Sequence, residues 1–317
     1  MSQMLPEPTM PSAAERVLVV VLNFNGMDDT LGCLASLRGQ DWVGLDVLVI
    51  DNGSATDETA RIVAAFPEVE VIVEPENLGW AGGNNVGLRR ALAGGYGYVC
   101  LLNNDTVLGH AAIGEMVAAA GVIAAPCLVH PVIHYFDDPG TAQLFPGLPV
   151  GADAAAQARA EIAGIVEMDH AYGACLLMPV GLPRAIGLLD ERFFLQLEEE
   201  DFFQRARRAG FGAFCAWRAR MLHKESASFG GRVTAAKTYY QVRNTFLLAE
   251  KHARGMGDFA GRLKRLLWAL FQRFHGLDPT MTSWGGFARR MLSGDAHARA
   301  ARQGVADYLL RRFGRRG

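Results

Sequence analysis

The chain has 317 residues, half of them hydrophobic, enough to bury the core of one large domain or two modest ones. Its formal net charge of −2 hides an asymmetry: residues 254–317 carry 13 Lys/Arg against 4 Asp/Glu, a net of +9, which leaves −11 on the rest. A basic end on an acidic body argues against a nucleic-acid-binding core and suits an anionic surface or partner for that end; arginines solvated on helix faces are the competing reading.

The amino-terminal segment 1–15 is rich in Pro and Met and has no basic residue ahead of an apolar stretch, so it reads as a flexible lead-in. The apolar runs Val17 to Leu22 and Met116 to Val129 are too short for a signal peptide or a membrane span. Cys33, Cys100, Cys127, Cys175 and Cys215 are widely spaced and form no CxxC pair, which argues against a disulfide framework or a zinc site. These features predict a cytoplasmic protein, at most peripheral to a membrane.

Strand and helix signals then alternate. Val17 to Leu22 reads as a strand, Asp28 to Arg38 as a helix, Asp46 to Ile50 as a strand and Ala55 to Ala65 as a helix. Val69 to Val73, Ala81 to Ala93 and Tyr98 to Leu102 continue as strand, helix and strand. This rhythm implies a parallel sheet with right-handed crossovers, whose functional groups collect at the carboxyl ends of the strands. Asn23, Asp51, Asn77 and Asp105 fall there. Beyond residue 125 the pattern loosens. Pro126 to Gly151 reads as a surface excursion, Ile165 to Met178 as one strand through Gly173, and Leu197 to Ala209 as a helix. Phe211 to Ala216 is a strand leading to His223, and Thr238 to His252 a helix with Tyr239, Tyr240, Arg243 and Asn244. Two basic helices follow, Phe259 to Phe274 and Ala296 to Phe313. The Leu263, Leu266, Leu267, Leu270 and Phe271 stripe suits a membrane interface, or equally packing on the domain.

Four constellations carry chemistry. Asp51, followed by Asn52-Gly53-Ser54, can accept the imide NH of a uracil or thymine ring or a ribose hydroxyl; turn capping by Asp51 or Ser54 competes. Asn77 to Asn85 places Gly79, Gly82 and Gly83 beside a helix start, where backbone can approach a phosphate-bearing ligand, yet it is neither GxGxxG nor GxxxxGK[ST]. Asp105 offers a hard oxygen and His223 a distant nitrogen, a sparse pair that suits Mg²⁺ or Mn²⁺ completed by phosphate and water; Lys224 can meet a phosphate. Glu198-Glu199-Glu200-Asp201 opens a helix, where acids stabilise the dipole and one can act as a base toward an acceptor hydroxyl.

In this order the motifs resemble the family-2 glycosyltransferases of the GT-A fold, particularly the bacterial rhamnosyltransferase-like branch. The resemblance runs from about Arg16 to His252. It rests on Val21-Leu22-Asn23-Phe24-Asn25-Gly26, Val49 to Ser54, Glu76 to Gly79, Ala81 to Asn84 and Leu102 to Asp105. Later matches are Gly173-Ala174-Cys175, Leu188 to Phe194, the acidic run, and His223-Lys224 with Ser226 and Ser228.

The resemblance implies a Rossmann-like, mostly parallel central sheet flanked by helices, with a basic helical C-terminal extension. It places a GT-A domain at 16–253, divided into a nucleotide-binding half, 16–125, and an acceptor and catalytic half, 126–253, followed by the extension at 254–317. It implies a metal-dependent, inverting transfer of rhamnose or another hexose from a dTDP- or UDP-sugar to a glycan, lipid-linked or small-molecule acceptor, without nucleic acid. Asp51 would bind the base, enclosed by the backbone at Leu22 to Asn25 and joined by Asn23 and Ser54. Asn77, Gly83, Asn84, Asn104 and Lys224 would line the nucleotide-sugar site. Asp105 and His223 would hold the metal, with Glu199 as base and Asp201 as a supporting acid. Three departures stand out: a single acid in Asn103-Asn104-Asp105, Glu where Asp is more usual at 199, and Tyr172 where a smaller polar residue is typical. A non-catalytic sugar-nucleotide-binding protein and a sugar nucleotidyltransferase are the alternatives.

Overall fold

A computed structural model describes residues 16–56, 59–123, 126–144, 164–169, 172–224, 234–277 and 282–316. The amino-terminal lead-in and the Ser226 and Ser228 matches lie outside these. The first half is a run of strand–helix units: β1 Val17–Asn23, α1 Met27–Arg38, β2 Leu45–Asn52, α2 Thr59–Ala65, β3 Glu70–Glu74, α3 Gly79–Ala93 and β4 Tyr98–Asn103. β3, β2, β1 and β4 lie side by side and parallel. β1 shows why: its apolar residues alternate between two covered faces. Val17, Val19 and Val21 pack with Cys33, Leu34 and Leu37 of α1, while Leu18 and Val20 pack with Ala81, Leu88 and Ala91 of α3.

The sheet is mixed beyond β4. The remaining strands are β5 Thr106–Leu108, β6 Cys127–Tyr135, β7 Ala142–Leu144, β8 Ile165–Met168, β9 Cys175–Pro179 and β10 Gly212–His223. The helices among them are α4 Ala112–Val122, α5 Gly181–Ile186, α6 Glu198–Arg208 and α7 Ala235–His252. β9 is antiparallel to both β4 and β6, β6 runs parallel to β10, and β5 and β8 pair antiparallel with β10. Two expectations are corrected here. Pro126 to Gly151 is not an excursion throughout: Cys127 to Tyr135 form an interior strand buried along most of its length. Pro131 is tolerated because it lies opposite Ala216, where β10 shifts register before Arg220, so its missing N–H falls where the ladder is already interrupted. Ile165 to Met178 is not one strand either; β8 pairs with β10 and β9 with β4, with the polar Asp169 and Tyr172-Gly173 between them.

All five cysteines are free and buried. Burial pushes the thiols of Cys33 and Cys215 up to about 12, far from nucleophilic use.

Three helices follow: α8 Met256–Leu277, α9 Trp284–Leu292 and α10 Ala296–Leu309. Ser283 and Asp295 cap the last two through Gly286 N (3.1 Å) and Ala298 N (2.9 Å). The apolar stripe of α8 turns inward. Leu270 and Phe271 join Val242 of α7 and Ala301 of α10, while Leu266 packs against Phe193, Leu247 and Leu248. A Cβ at Gly304 would stand 2.7 Å from the Tyr239 carbonyl oxygen, so α10 approaches α7 closely because that residue is glycine. The packing alternative therefore holds for this stripe.

Candidate active site

The carboxyl ends of β1 and β2 lie in register, Asn23 beside Asp51. Asn23 is fully buried and its Oδ1 accepts from Gly26 N (3.2 Å), Thr30 Oγ1 (2.9 Å) and Asn104 Nδ2 (3.4 Å). Asn104 Nδ2 also reaches the Gly26 carbonyl at 3.2 Å and Thr30 Oγ1 at 3.0 Å. Both asparagines thus hold the loop after β1 against the end of β4. Ser54 Oγ accepts from Asn25 N at 2.9 Å, and Asp51 Oδ1 accepts from Ser54 N at 3.2 Å. The capping reading of Asp51 and Ser54 is therefore real, and it leaves the buried Asp51 carboxylate fixed at the end of its strand.

The glycine-asparagine loop is pinned by Asn52, a residue of the Asp51 motif to which the sequence assigned no role. Asn52 accepts from Leu78 N at 3.0 Å and donates to Asn77 Oδ1 (3.3 Å) and the Gly79 carbonyl (3.1 Å). Asn77 Oδ1 in turn accepts from Gly79 N at 2.7 Å. Gly53 and Gly79 both have positive φ, and a Cβ at Gly53 would stand 2.5 Å from the Glu76 backbone. Gly83 faces the sheet: its Cβ would meet Leu22 Cδ1 at 2.4 Å. Asn84 donates to the Trp80 carbonyl at 2.9 Å, and its buried Oδ1 has no hydrogen-bond partner among the described residues.

Asp105 and His223 are far apart in sequence and adjacent in space. Asn104-Asp105 is the link between β4 and β5, and β5 pairs with the end of β10, Thr106 opposite His223. His223 Nε2 lies 3.3 Å from Asp105 Oδ1, and both side chains are largely buried. Neighbouring ligands on a cation with bonds of about 2.1 Å lie roughly 3 Å apart at a right angle, so the pair fits Mg²⁺ or Mn²⁺. Among the described residues no third His, Cys, Asp or Glu joins them, which leaves the other positions to phosphate and water. Gln143 Oε1 lies 2.8 Å from His223 Nδ1, so with the proton on Nδ1 the lone pair on Nε2 points toward Asp105. Lys224 meets a carboxylate: Nζ lies 2.5 Å from Asp29 Oδ1 of α1. Neither Gln143 nor Asp29 belongs to a recognisable spacing; the fold brings them in, Gln143 on β7 and Asp29 on α1.

The acidic helix divides its residues by direction. Glu198 is buried, with Oε2 unbonded among the described residues. Burial first, and then the Glu199 carboxylate, push its carboxyl well above the ordinary range. Glu199 lies beside Gly173, whose added Cβ would stand 3.5 Å from Glu199 Cβ and 3.3 Å from the Trp80 ring. Trp80 Nε1 donates to Asn103 Oδ1 at 2.9 Å, so this indole links the acidic helix to the segment carrying Asp105. Asp201 points elsewhere. Its oxygens take His252 Nε2 (2.8 Å), Lys251 Nζ (2.8 Å) and Arg205 Nε (3.0 Å). Burial raises its carboxyl, but the His252 and Lys251 bonds outweigh that and hold it below the ordinary range. The structure brings Glu199, Trp80, Asn103 and Gly173 together and gives Asp201 to α7.

Residues 18–151 match the family described as glycosyl transferase family 2. The chain is 24% identical over 242 residues to a hexosyltransferase of low-salt glycan biosynthesis from Haloferax volcanii, covering 72% of this chain and 74% of that protein. It is 30% identical over 222 residues to the galactofuranosyltransferase GlfT1 of Mycobacterium tuberculosis, covering 66% and 70%. In fold it is similar to a Pyrobaculum calidifontis mannosyltransferase solved with GDP-Man and Mn²⁺ (TM-score 0.57, 16% identity, 96% of this chain and 90% of that one). It is also similar to S. aureus TarS 1–349 (TM-score 0.54, 13% identity, 95% and 93%). With a GT-A fold and a GlfT1-like sequence, the chain belongs to glycosyltransferase family 2 and is a hexosyltransferase-type enzyme.

Proposed function

We propose that the chain transfers a hexose, with inversion, from a nucleoside-diphosphate sugar to a hydroxyl of a glycan, lipid-linked or small-molecule acceptor. A dTDP- or UDP-sugar, dTDP-L-rhamnose among them, is the proposed donor. The observation that carries this reading is the Asp105–His223 pair, assembled at 3.3 Å from the ends of two strands. Residues 16–125 form the nucleotide-binding half in this reading and 126–253 the acceptor half.

Asp51 receives the imide of the base or a ribose hydroxyl at the end of β2. Asp105 and His223 would hold a Mg²⁺ or Mn²⁺ ion, which would neutralise the diphosphate charge. Glu199 takes the proton of the acceptor hydroxyl as its oxygen bonds to the anomeric carbon; the carbon–phosphate oxygen bond breaks and the nucleoside diphosphate leaves. Glu199 suits this role by its place, partly buried beside Gly173. Among the described residues no helix is long and apolar enough to cross a membrane. The basic extension is proposed as the part that meets an anionic membrane surface at the cytoplasmic face.

The test is thermal stabilisation by UDP-, dTDP-, GDP- and CMP-sugars with and without Mn²⁺ or Mg²⁺. One nucleotide class should stabilise the protein, more so with metal. Asp105→Asn should abolish the metal-dependent part. Glu199→Gln should keep the shift and lose turnover by about a hundredfold or more. Stabilisation by no donor, or full turnover in Glu199→Gln, would overturn the reading.

A further inference from the structure

The segment that delivers the acidic helix is strained. Phe194, Gln196 and Leu197 have φ of 63°, 73° and 71°, a left-handed conformation that side chains disfavour, and none is glycine. Such a backbone persists only where its surroundings fix it.

Two buried side chains of α7 do so. Arg243 Nη2 lies 2.9 Å from the Arg192 carbonyl and 2.8 Å from that of Phe193. Asn244 Nδ2 lies 2.9, 2.8 and 2.7 Å from the carbonyls of Phe193, Leu195 and Gln196. Arg243 Nε donates to Asn244 Oδ1 at 3.0 Å and so sets which way the amide faces. Arg243 Nη1 reaches the Gly314 carbonyl at 2.7 Å, and Gly314 N returns to Arg192 O at 3.0 Å, which ties the end of the extension into the same clamp. On the other side the Phe194 carbonyl accepts from Trp80 N at 2.7 Å, so the clamped loop also holds the backbone of the residue whose indole lies against Gly173.

We propose that Arg243 and Asn244 are positioning residues for the transfer, holding the strained loop so that Glu199 and Trp80 keep their places beside Gly173. This rests on Glu199 being the base. The two side chains touch neither substrate nor base; they act through the backbone that precedes α6. The C-terminal extension thereby supports catalysis through Gly314.

The test is a double-mutant cycle on the full chain, using the sugar nucleotide that gives the largest thermal shift and following nucleoside diphosphate release. Asn244→Ala should lower kcat at least tenfold and leave the donor KM within about twofold. Arg243→Lys, which keeps the charge but cannot span two carbonyls and Gly314, should lower kcat about three- to tenfold. In a Glu199→Gln background Asn244→Ala should cost far less than in the wild type, because the base it positions is gone and only the placing of Trp80 remains. Unchanged kcat per folded molecule in both single variants, or the same loss with and without Glu199, would overturn the inference. Should Asn244→Ala not fold, Arg243→Lys in the two backgrounds decides it. Turnover that survives Glu199→Gln removes the base assignment itself, whereas a dead Glu199→Gln beside a fully active Asn244→Ala removes only the positioning role.

Discussion

Glu198 is a carboxyl that the fold prefers to keep protonated. It is buried, one oxygen is unbonded among the described residues, and the neighbouring Glu199 carboxylate disfavours a second negative charge. The folded protein therefore keeps a proton that the unfolded chain releases above the ordinary value of 4.5. With more protons bound in the folded state, stability falls as pH rises through that window, by up to about 1.4 kcal/mol per pH unit. Glu198→Gln, neutral and of the same shape, should gain on the wild type as pH rises above the ordinary carboxyl value of 4.5 in urea denaturation. Parallel pH profiles for the two proteins would exclude this. At the residue scale, Asp105, His223, Asp51 and Glu199 stand out as candidates because each falls in a spacing or at a strand end. Asp201 was legible as an acid but not by direction, since two of its three partners, Lys251 and His252, lie on α7. Asn52, Gln143 and Asp29 act through contacts with residues 25 or more positions away along the chain, which no spacing announces.

Helix α3 shows how an element's sequence serves two ends at once. Its first turn meets the Phe194 carbonyl, and further along Gly87 lets the helix rest on β1. A Cβ at Gly87 would stand 2.3 Å from Cγ1 of Val20, which is fully buried in the core. Gly87→Ala should destabilise the protein by roughly 1–3 kcal/mol through overpacking, measured by urea denaturation. Donor-induced stabilisation should persist, because Asn77 and Asn52 hold the loop before Gly79 independently. An alanine variant as stable as the wild type would mean that α3 shifts on the sheet without cost. The elements from β1 to β4 were readable because each buries an alternating or helical apolar pattern. β6 was not, because Pro131 mimics a loop and its acceptability depends on a register shift in β10 far along the chain. β5 was missed because three residues carry no period, and α9 because Trp284 and Phe287 gain their packing from α8.

Across the whole molecule, residues 254–317 carry 13 Lys/Arg against 4 Asp/Glu, and the remainder is acidic. The α8 stripe packs on α7, so any membrane contact must use another face of the extension. That face has exposed tryptophans: Trp268 and Trp284 are about half exposed, with ring centroids 5.9 Å apart, and Lys264, Arg265 and Arg289 are exposed on the same two helices. Indoles favour the interface between headgroups and acyl chains, and Lys/Arg near an anionic leaflet contribute about 1 kcal/mol each. Deleting the extension would be a poor test, because it strips Leu270, Phe271 and Ala301 from Val242 and removes the Gly314 contact to Arg243. Replacing both Trp268 and Trp284 by Ala spares the packing of Leu270 and Ala301 on Val242 and the Gly314 contact, and removes only the rings that lie against Phe271. The double variant should lose binding to vesicles containing phosphatidylserine while donor-induced stabilisation stays unchanged. Wild-type binding should also fall as salt is raised to about 0.5 M, since screening weakens the basic contribution. Vesicle binding by the double variant equal to that of the wild type would show that the aromatic face is not what meets the membrane.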